Sequence, residues 1–366
     1  MRQVPFWLFG IGGVGSTLLQ LLQEEKVRNS LQARAGVEFR LVFVADSRAY
    51  LADPAGLDAE RIGRAVATKR AGGSLAQLAG AHPSEGPLAD WQALQAMLPL
   101  EGTIGVDATA SDAMGPVLLM ALDAGAGVVL ANKRPLTADW EQFVRLTRTR
   151  RCRHEATVGA GLPVISTLHA LLDTGDHVTR IQGCLSGTLG YICSALNRGE
   201  RYSQAVRRAV EAGYAEPDPR EDLCGLDVAR KALILSRMVG RPLELSDLDV
   251  RPMIPKALEG LSKEEFMRRL PEADAEMAEM VQQAAQRGLV LSYVADLSAE
   301  GMTIGLREVD RHSPVGRLSG TDNVLAFYTE RYHQTPLVIQ GPGAGRIVTA
   351  AGVLSDMITL VREEFK

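Results

Sequence analysis

The sequence predicts an α/β protein: a parallel sheet covered by helices on both faces, followed by an α+β region. Three observations predict it. The first third alternates short apolar runs with segments of helical periodicity. Its opening run breaks directly into a glycine-rich turn, Gly10-Ile11-Gly12-Gly13-Val14-Gly15. The remainder changes character, with longer helical segments first and closely spaced β-like runs after them.

Phe6 to Phe9 reads as the first strand and Val14 to Gln23 as the helix that follows the glycines. Phe39 to Ala45 is apolar and β-branched, a second strand. Ile104 to Ala108 is another, with a helix from Pro116 to Ala124 and a further strand at Val128 to Leu130. In the middle third, Pro163 suits the first turn of a helix that runs to Asp173, with Gly175 just beyond its end. A longer helix is expected from Asp222 to Val239, stopped by Gly240 and Pro242. Ser262 and Glu265 have capping-box spacing ahead of Phe266, and Glu272 to Arg287 is polar and helical until Gly288. Leu289 to Ala295, Met302 to Leu306 and Leu337 to Ile339 read as strands.

Composition narrows the class. The 366 residues carry 46% apolar, 23% charged and 5% aromatic side chains, proportions that exclude a disordered tail, a collagen repeat or a coiled coil. At ~100–200 residues per domain, two or three domains are expected. A formal charge of −4 with interspersed signs offers no basic stripe for nucleic acid. No run approaches the ~18 apolar residues of a membrane span, and the N-terminus lacks a signal-peptide pattern. Cys152, Cys184, Cys193 and Cys224 have no metal-ligand spacing, so buried reduced thiols and a cytoplasmic setting are expected.

The glycine turn has a strand before it and a helix after it. Its first glycine permits a tight turn, its second lets the backbone approach a pyrophosphate, and its third lets helix and strand pack closely. The new helix presents free N–H groups and a positive dipole end to phosphates. These features predict a Rossmann-type dinucleotide-binding domain. The usual ribose-binding acid lies ~20 residues past the glycines. Here the second strand ends later, at Asp46-Ser47-Arg48, where Asp46 suits the 2′-hydroxyl of NAD and Arg48 the 2′-phosphate of NADP. The choice between cofactors stays open. Thr109 and Lys133 follow two later strands, at the rim where a cofactor crevice would lie.

The densest polar stretch runs from Gly213 to Lys231. Two X-Pro steps keep Glu216 and Asp218 extended. Asp227 and Lys231, four residues apart, share a helix face amid Leu226, Val228, Ala229, Ala232 and Leu233. A partly buried lysine beside carboxylates suits proton transfer, and spare carboxylates suit a substrate amine. Gly183 to Tyr191, rich in glycine and hydroxyls, reads as an anion-facing loop.

Together these segments resemble the homoserine dehydrogenase family. The resemblance is carried by Gly10 to Gly15, Ala131-Asn132-Lys133, His154 to Pro163, Ser186-Gly187-Thr188-Leu189, Gly213 to Pro219, Gly225 to Lys231, Gly343-Ala344-Gly345 and Thr349 to Gly352, in family order. It implies NAD(P)-dependent interconversion of L-aspartate 4-semialdehyde and L-homoserine, a step of threonine, methionine and isoleucine biosynthesis. Lys231 would donate and accept the proton at the reacting oxygen, supported by Asp222. Glu216 and Asp227 would hold the substrate's amino end, with Gly187, Thr188 and Tyr214 around it. The glycine loop from Gly10 through Ile11, Gly12, Gly13 and Val14 to Gly15, with Thr109, Lys133 and Gly343, would bind NADP or NAD. Glu155, Val158, Ala160 and Leu162 would hold a monovalent cation, Na+ or K+, largely through carbonyls.

The resemblance also implies a discontinuous cofactor domain, residues 1–150 with 341–366, around a substrate-binding, catalytic and dimerisation region at 151–340. A homodimer or higher homo-oligomer and a short, monofunctional form without a regulatory ACT domain are expected. Arg134-Pro135, Gly190 and Pro342 depart from the family pattern at the rims of the sites. A catalytically silent dinucleotide sensor and a dehydrogenase of a related amino-acid aldehyde are the rival readings.

Overall fold

The computed structural model describes residues 1–364. They form two compact units, the first comprising residues 1–161 together with the chain from Gly345 on, the second residues 162–344.

In the first unit the strands are β1 (Arg2–Phe9), β2 (Val37–Ala45), β3 (Ala49–Ala52), β4 (His82–Pro83), β5 (Ile104–Asp107), β6 (Gly127–Leu130) and β7 (Cys152–Arg153). The helices between them are α1 (Gly13–Gln23), α2 (Glu25–Ala35), α3 (Ala59–Arg70), α4 (Pro87–Met97), α5 (Met114–Asp123) and α6 (Trp140–Thr147). The sheet order is β4-β3-β2-β1-β5-β6-β7. All neighbours are parallel except β3, which pairs antiparallel with β2 and β4. Chain order reverses about β1, and such a switch point opens a crevice beyond the carboxyl ends of the strands.

β1 explains why the sheet needs two helical layers. Its run Val4-Pro5-Phe6-Trp7-Leu8-Phe9 is apolar on both faces, as a doubly covered parallel strand requires. Phe6 and Leu8 join Leu18 and Leu19 of α1 in one cluster. Trp7 points to the opposite face, where its ring meets Trp91 of α4 at 5.6 Å. Each such side chain contributes roughly 1.5–3 kcal/mol by leaving water. Pro5 is tolerated because β5 pairs with β1 only from Phe6 onward, so the missing donor interrupts no ladder on that side.

The second unit contains α7 (Val164–Asp173), β8 (Val178–Cys184), α8 (Gly187–Asn197), α9 (Tyr202–Glu211), α10 (Arg220–Leu223), α11 (Leu226–Met238), β9 (Asp249–Val250), α12 (Lys263–Arg269) and α13 (Asp274–Gln286). Strands β10 (Leu289–Ser298), β11 (Gly301–Asp310), β12 (Asp322–Thr329) and β13 (Leu337–Pro342) complete it. The sheet order is β13-β12-β8-β10-β11-β9. Ala232 and Leu235 of α11 line a small cavity together with Ile181 of β8, Ala295 of β10 and Leu325 of β12. The final helix, α14 (Arg346–Glu363), belongs to the first unit. There Val353, Met357 and Leu360 complete the cluster around Phe6 and Leu8.

Two sequence expectations change. The single helix expected from Asp222 to Val239 is two helices, α10 and α11, divided at Gly225. Gly225 has φ +75°, and a Cβ there would lie 2.0 Å from Tyr293 Oη. A residue far along the chain thus sets the break. The expected loop from Gly183 to Tyr191 is instead the end of β8 and the first turn of α8, capped by Ser186, whose hydroxyl accepts the Leu189 N–H. Ser262 does cap α12, accepting from Glu265 N–H. The four thiols are free, with Cys152, Cys184 and Cys193 buried and Cys224 only half-buried. Burial pushes the Cys152 and Cys193 thiols up to about 12. No helix among the described residues is long and apolar enough to cross a membrane.

Candidate active site

The glycine loop occupies the turn from β1 to α1. Gly10 adopts φ +93°, and a Cβ there would stand 2.7 Å from the Ala108 carbonyl and 2.8 Å from Thr109 N. Only glycine lets the loops after β1 and β5 approach so closely. A Cβ at Gly15 would meet Gly10 O at 2.0 Å, whereas one at Gly12 would meet nothing within 4 Å. Gly12 therefore faces open space with bare backbone. It is also the N-cap of α1 and supplies no side-chain cap, and the first turn has no acidic residue. The helix thus presents uncapped N–H groups and its positive end to whatever enters. Ile11 is fully buried and Val14 half-buried, so their side chains anchor the loop and leave its backbone to face a ligand. This cradle fits a dinucleotide pyrophosphate.

Beside it, Asp107 at the end of β5 is fully buried. Its carboxylate accepts the Thr109 N–H at 2.9 Å, the Thr109 hydroxyl at 2.7 Å and the Asn132 amide at 2.9 Å. Burial pushes its carboxyl up to about 6, against those hydrogen bonds. The network ties the Thr109 loop to the Asn132-Lys133 turn, both at the crevice rim. Arg134 pairs with Asp112.

Asp46 is not free for a ribose. Its two oxygens accept from Arg48, Ala49 and Leu75 N–H groups, from Ser74 and from the Lys69 ammonium at 2.9 Å. Burial opposes its charge, but the bonds from Leu75, Lys69, Arg48 and Ala49 prevail and hold the carboxyl down at about 2. Arg48 is exposed at the same corner.

In the second unit Lys231 is only 7% exposed. Its ammonium donates to Asp227 Oδ2 at 2.7 Å and to the Leu185 carbonyl at 2.6 Å. Three donors on one nitrogen leave one more for a ligand. Asp227 sits in the first turn of α11 and is half exposed, so a ligand can share its carboxylate.

Asp222 serves a different part of the cluster. It accepts the Glu216 N–H at 2.8 Å and, at 3.1 Å, shares the single Thr188 hydroxyl proton with the Tyr214 carbonyl, which stands closer at 2.5 Å. Asp222 thus binds the start of α8 to the loop carrying Tyr214 and Glu216. The partners of the Lys231 ammonium are Asp227 and Leu185 rather than Asp222. Gly187 sits where a Cβ would lie 2.8 Å from Thr321 O. Tyr214 stacks obliquely on Tyr191 at 5.0 Å and stays half exposed. Glu216 is exposed, whereas Asp218 is engaged by the Arg220 guanidinium, which holds its carboxyl below the usual range. Of the two extended acids, Glu216 is the one presented outward.

Gly343 is buried in the second unit, where a Cβ would overlap the Asn323 carboxamide at 2.0 Å. Glu155 lies in a short buried turn, its N–H donating to Asp356 Oδ2 at 2.8 Å. Burial and the Glu155 charge push the Asp356 carboxyl up to about 7. Val158 is buried, Ala160 takes φ +57°, and Leu162 begins the second unit. Two features, one in each unit, were outside the sequence reading. The Leu185 carbonyl is backbone and leaves no residue-type signature. Arg346, whose guanidinium stem lies against Gly13, is brought there from the far end of the chain.

Known proteins resemble this chain. The family model described as the NAD-binding domain of homoserine dehydrogenase matches residues 10–155, and that described as homoserine dehydrogenase matches residues 163–358. A homoserine dehydrogenase of Paracoccidioides brasiliensis is 40% identical over 273 residues, covering 70% of this chain and 73% of that protein. A chloroplastic bifunctional aspartokinase/homoserine dehydrogenase of Zea mays is 37% identical over 361 residues. The match covers 96% of this chain but only 38% of the maize protein's length. A hyperthermophilic archaeal homoserine dehydrogenase solved with NADPH superposes with a TM-score of 0.74 at 22% identity, covering 99% of this chain and 98% of that one.

Proposed function

The chain belongs to the homoserine dehydrogenase family, and on that premise we propose that it interconverts L-aspartate 4-semialdehyde and L-homoserine. The observation that carries this reading is the buried Lys231 ammonium, held by Asp227 and the Leu185 carbonyl, with Glu216 presented outward on the adjoining loop. A nicotinamide dinucleotide held on the glycine loop would supply the hydride to C4 of the substrate and, in the reverse direction, accept it from C4. Lys231 gives its third N–H to the aldehyde oxygen, and as hydride reaches C4 the C–O π pair moves onto oxygen and takes that proton as the new O–H bond, leaving a neutral amine. In oxidation the neutral amine takes the hydroxyl proton back. Asp227 and Leu185 fix the direction of the nitrogen throughout, the positioning a general acid needs.

Glu216 and Asp227 bind the substrate ammonium, with Tyr214, Gly187 and Thr188 shaping the pocket under the control of Asp222. Glu216→Gln keeps the shape and removes the charge. Its KM for homoserine is expected to rise at least tenfold, the scale of a lost charge-assisted hydrogen bond, with kcat within a few fold of wild type. Steady-state kinetics checks this, and an unchanged KM removes Glu216 from the ammonium site.

NADP(H) is the preferred cofactor in this reading. The Asp46 carboxylate that would select NAD is consumed internally and neutralised by Lys69, while Arg48 stands exposed at the same corner. The likeness to an archaeal relative solved with NADPH points the same way. A monovalent cation at Glu155, Val158, Ala160 and Leu162, and assembly into a homodimer or larger homo-oligomer, complete the proposal. The deciding assay is homoserine oxidation by the purified protein with NADP and NAD compared, each with and without added Na+ or K+. Turnover is expected with both, higher kcat/KM with NADP, and stimulation by the salt. Absence of turnover with either cofactor overturns the activity.

A further inference from the structure

Arg346 opens α14 immediately after the Gly343-Ala344-Gly345 segment, and nothing in the proposed reaction uses it. Its side chain extends over the first residue of α1. A Cβ on Gly13 would lie 2.8 Å from Arg346 Nε, 3.1 Å from Cδ and 3.4 Å from Cγ. The guanidinium therefore stands at the head of the glycine loop, in room that a glycine leaves. It is exposed and makes no ion pair among the described residues, so its charge is not spent within the protein.

The surroundings add to that charge. α1 and α14 both begin here, and both are long enough, 11 and 18 residues, to carry a substantial end dipole. Their N-caps are glycines, Gly12 and Gly345, without a side-chain cap, and neither first turn contains an acidic residue. Two uncapped helix starts and this guanidinium converge with no carboxylate in either first turn. Gly12 adds bare backbone facing open space. A guanidinium presents its donors in a planar fork that matches phosphate oxygens in pairs.

We propose that Arg346 is a cofactor-binding residue that clasps the pyrophosphate of the dinucleotide from the α14 side. The inference rests on the reading of the glycine loop as the NADP(H) or NAD(H) site. The pyrophosphate rather than the 2′-phosphate is its target, because Arg346 touches Gly13, at the start of the helix on which a pyrophosphate rests. The ribose corner lies elsewhere, at the end of β2. The sequence pattern places only glycines at the phosphates; α14 adds the cation.

The test is fluorescence titration of NADPH and of NADH into wild type, Arg346→Ala, Arg346→Lys and Arg346→Gln, with thermal melts of each. Arg346→Ala and Arg346→Gln are expected to weaken both cofactors alike, about tenfold or more. Arg346→Lys should fall between them and wild type, since it keeps the charge but loses the fork. The wild-type Kd should also climb more steeply with salt than that of Arg346→Ala. Melting temperatures should stay near wild type, because the side chain is exposed. Unchanged Kd values for both cofactors overturn the proposal, as does a loss confined to NADPH, which would assign Arg346 to the 2′-phosphate. Should Arg346→Ala melt early, Arg346→Lys and Arg346→Gln decide, since both retain a long stem. Failure of wild type to bind either dinucleotide is a different result, and it removes the cofactor reading itself.

Discussion

Lys231→Ala is expected to lower kcat by about a hundred- to ten-thousandfold, the range a positioned general acid contributes, while the Kd for NADPH stays within about twofold of wild type. The expectation follows from where the ammonium sits. It is almost fully buried and its partners are Asp227 and the Leu185 carbonyl, so its remaining donor is the one the proposed reaction draws on. Water admitted into the gap would be a far weaker acid and would not be held in line. Stability should change little through the ion pair itself. Asp227 is half exposed, so solvent screening keeps the pair at or below about 1 kcal/mol. Lys231→Arg is the informative companion, since it keeps the charge on a group that does not deprotonate in proteins. It should be nearly as slow as the alanine variant. Rapid turnover by Lys231→Ala, measured alongside cofactor titration, would sink the assignment of the proton donor.

Gly15→Ala is expected to damage fold and cofactor binding together. The added methyl would lie 2.0 Å from Gly10 O and 3.1 Å from Gly10 C, and both are backbone atoms. Gly10 cannot step aside, because its left-handed conformation brings it against Ala108 and Thr109. α1 must therefore move off β1, disturbing the packing of Leu18 and Leu19 against Leu8. Overpacking of this kind costs ~1–3 kcal/mol or more, and the displaced helix start should weaken NADPH about a hundredfold. Gly12→Ala separates the two effects. Its methyl meets nothing within 4 Å, so the melting temperature should hold while NADPH affinity falls, the methyl occupying space that the proposed cofactor site needs. A Gly15→Ala protein that melts and binds like wild type would contradict the close packing of β1 and α1.

The first unit was legible where local and tertiary demands agree. β1, the glycine turn and α1 are written in consecutive residues, and the doubly buried strand shows as an unbroken apolar run. Elements whose signal is weaker escaped. α2 buries only Leu31, so its sequence has little apolar periodicity to read. α8 begins with Gly187 and carries Gly190, which suggests a loop. It is helical because Ser186 caps it and because Thr321 O presses on Gly187, where no side chain would fit. The break at Gly225 depends likewise on Tyr293, a residue of β10.

The candidate site divides along the same line. Lys231 and Asp227 are four residues apart on one helix, so their pairing follows from helical geometry alone. The sequence could also show that Glu216, Asp218 and Asp222 crowd one segment. It could not tell which of the three is presented outward. That is settled by partners distant in sequence, Thr188 for Asp222 and the Leu261 carbonyl on Arg220, which engages Asp218.

By itself the sequence determined the α/β class, the turn on which a dinucleotide rests, the lysine–aspartate pair and the family they mark. Each is set by interactions within a few residues, or by motifs whose chemistry needs those residue types in that order. Only the tertiary structure decided that Asp46 is consumed by Lys69 and the Leu75 turn, that Asp222 organises a loop rather than Lys231, that a backbone carbonyl at Leu185 aims the ammonium, and that Arg346 lies over Gly13. Those outcomes depend on contacts between segments tens to hundreds of residues apart. Such contacts are fixed by how buried faces and chain crossings bring elements together, a property that no local pattern encodes.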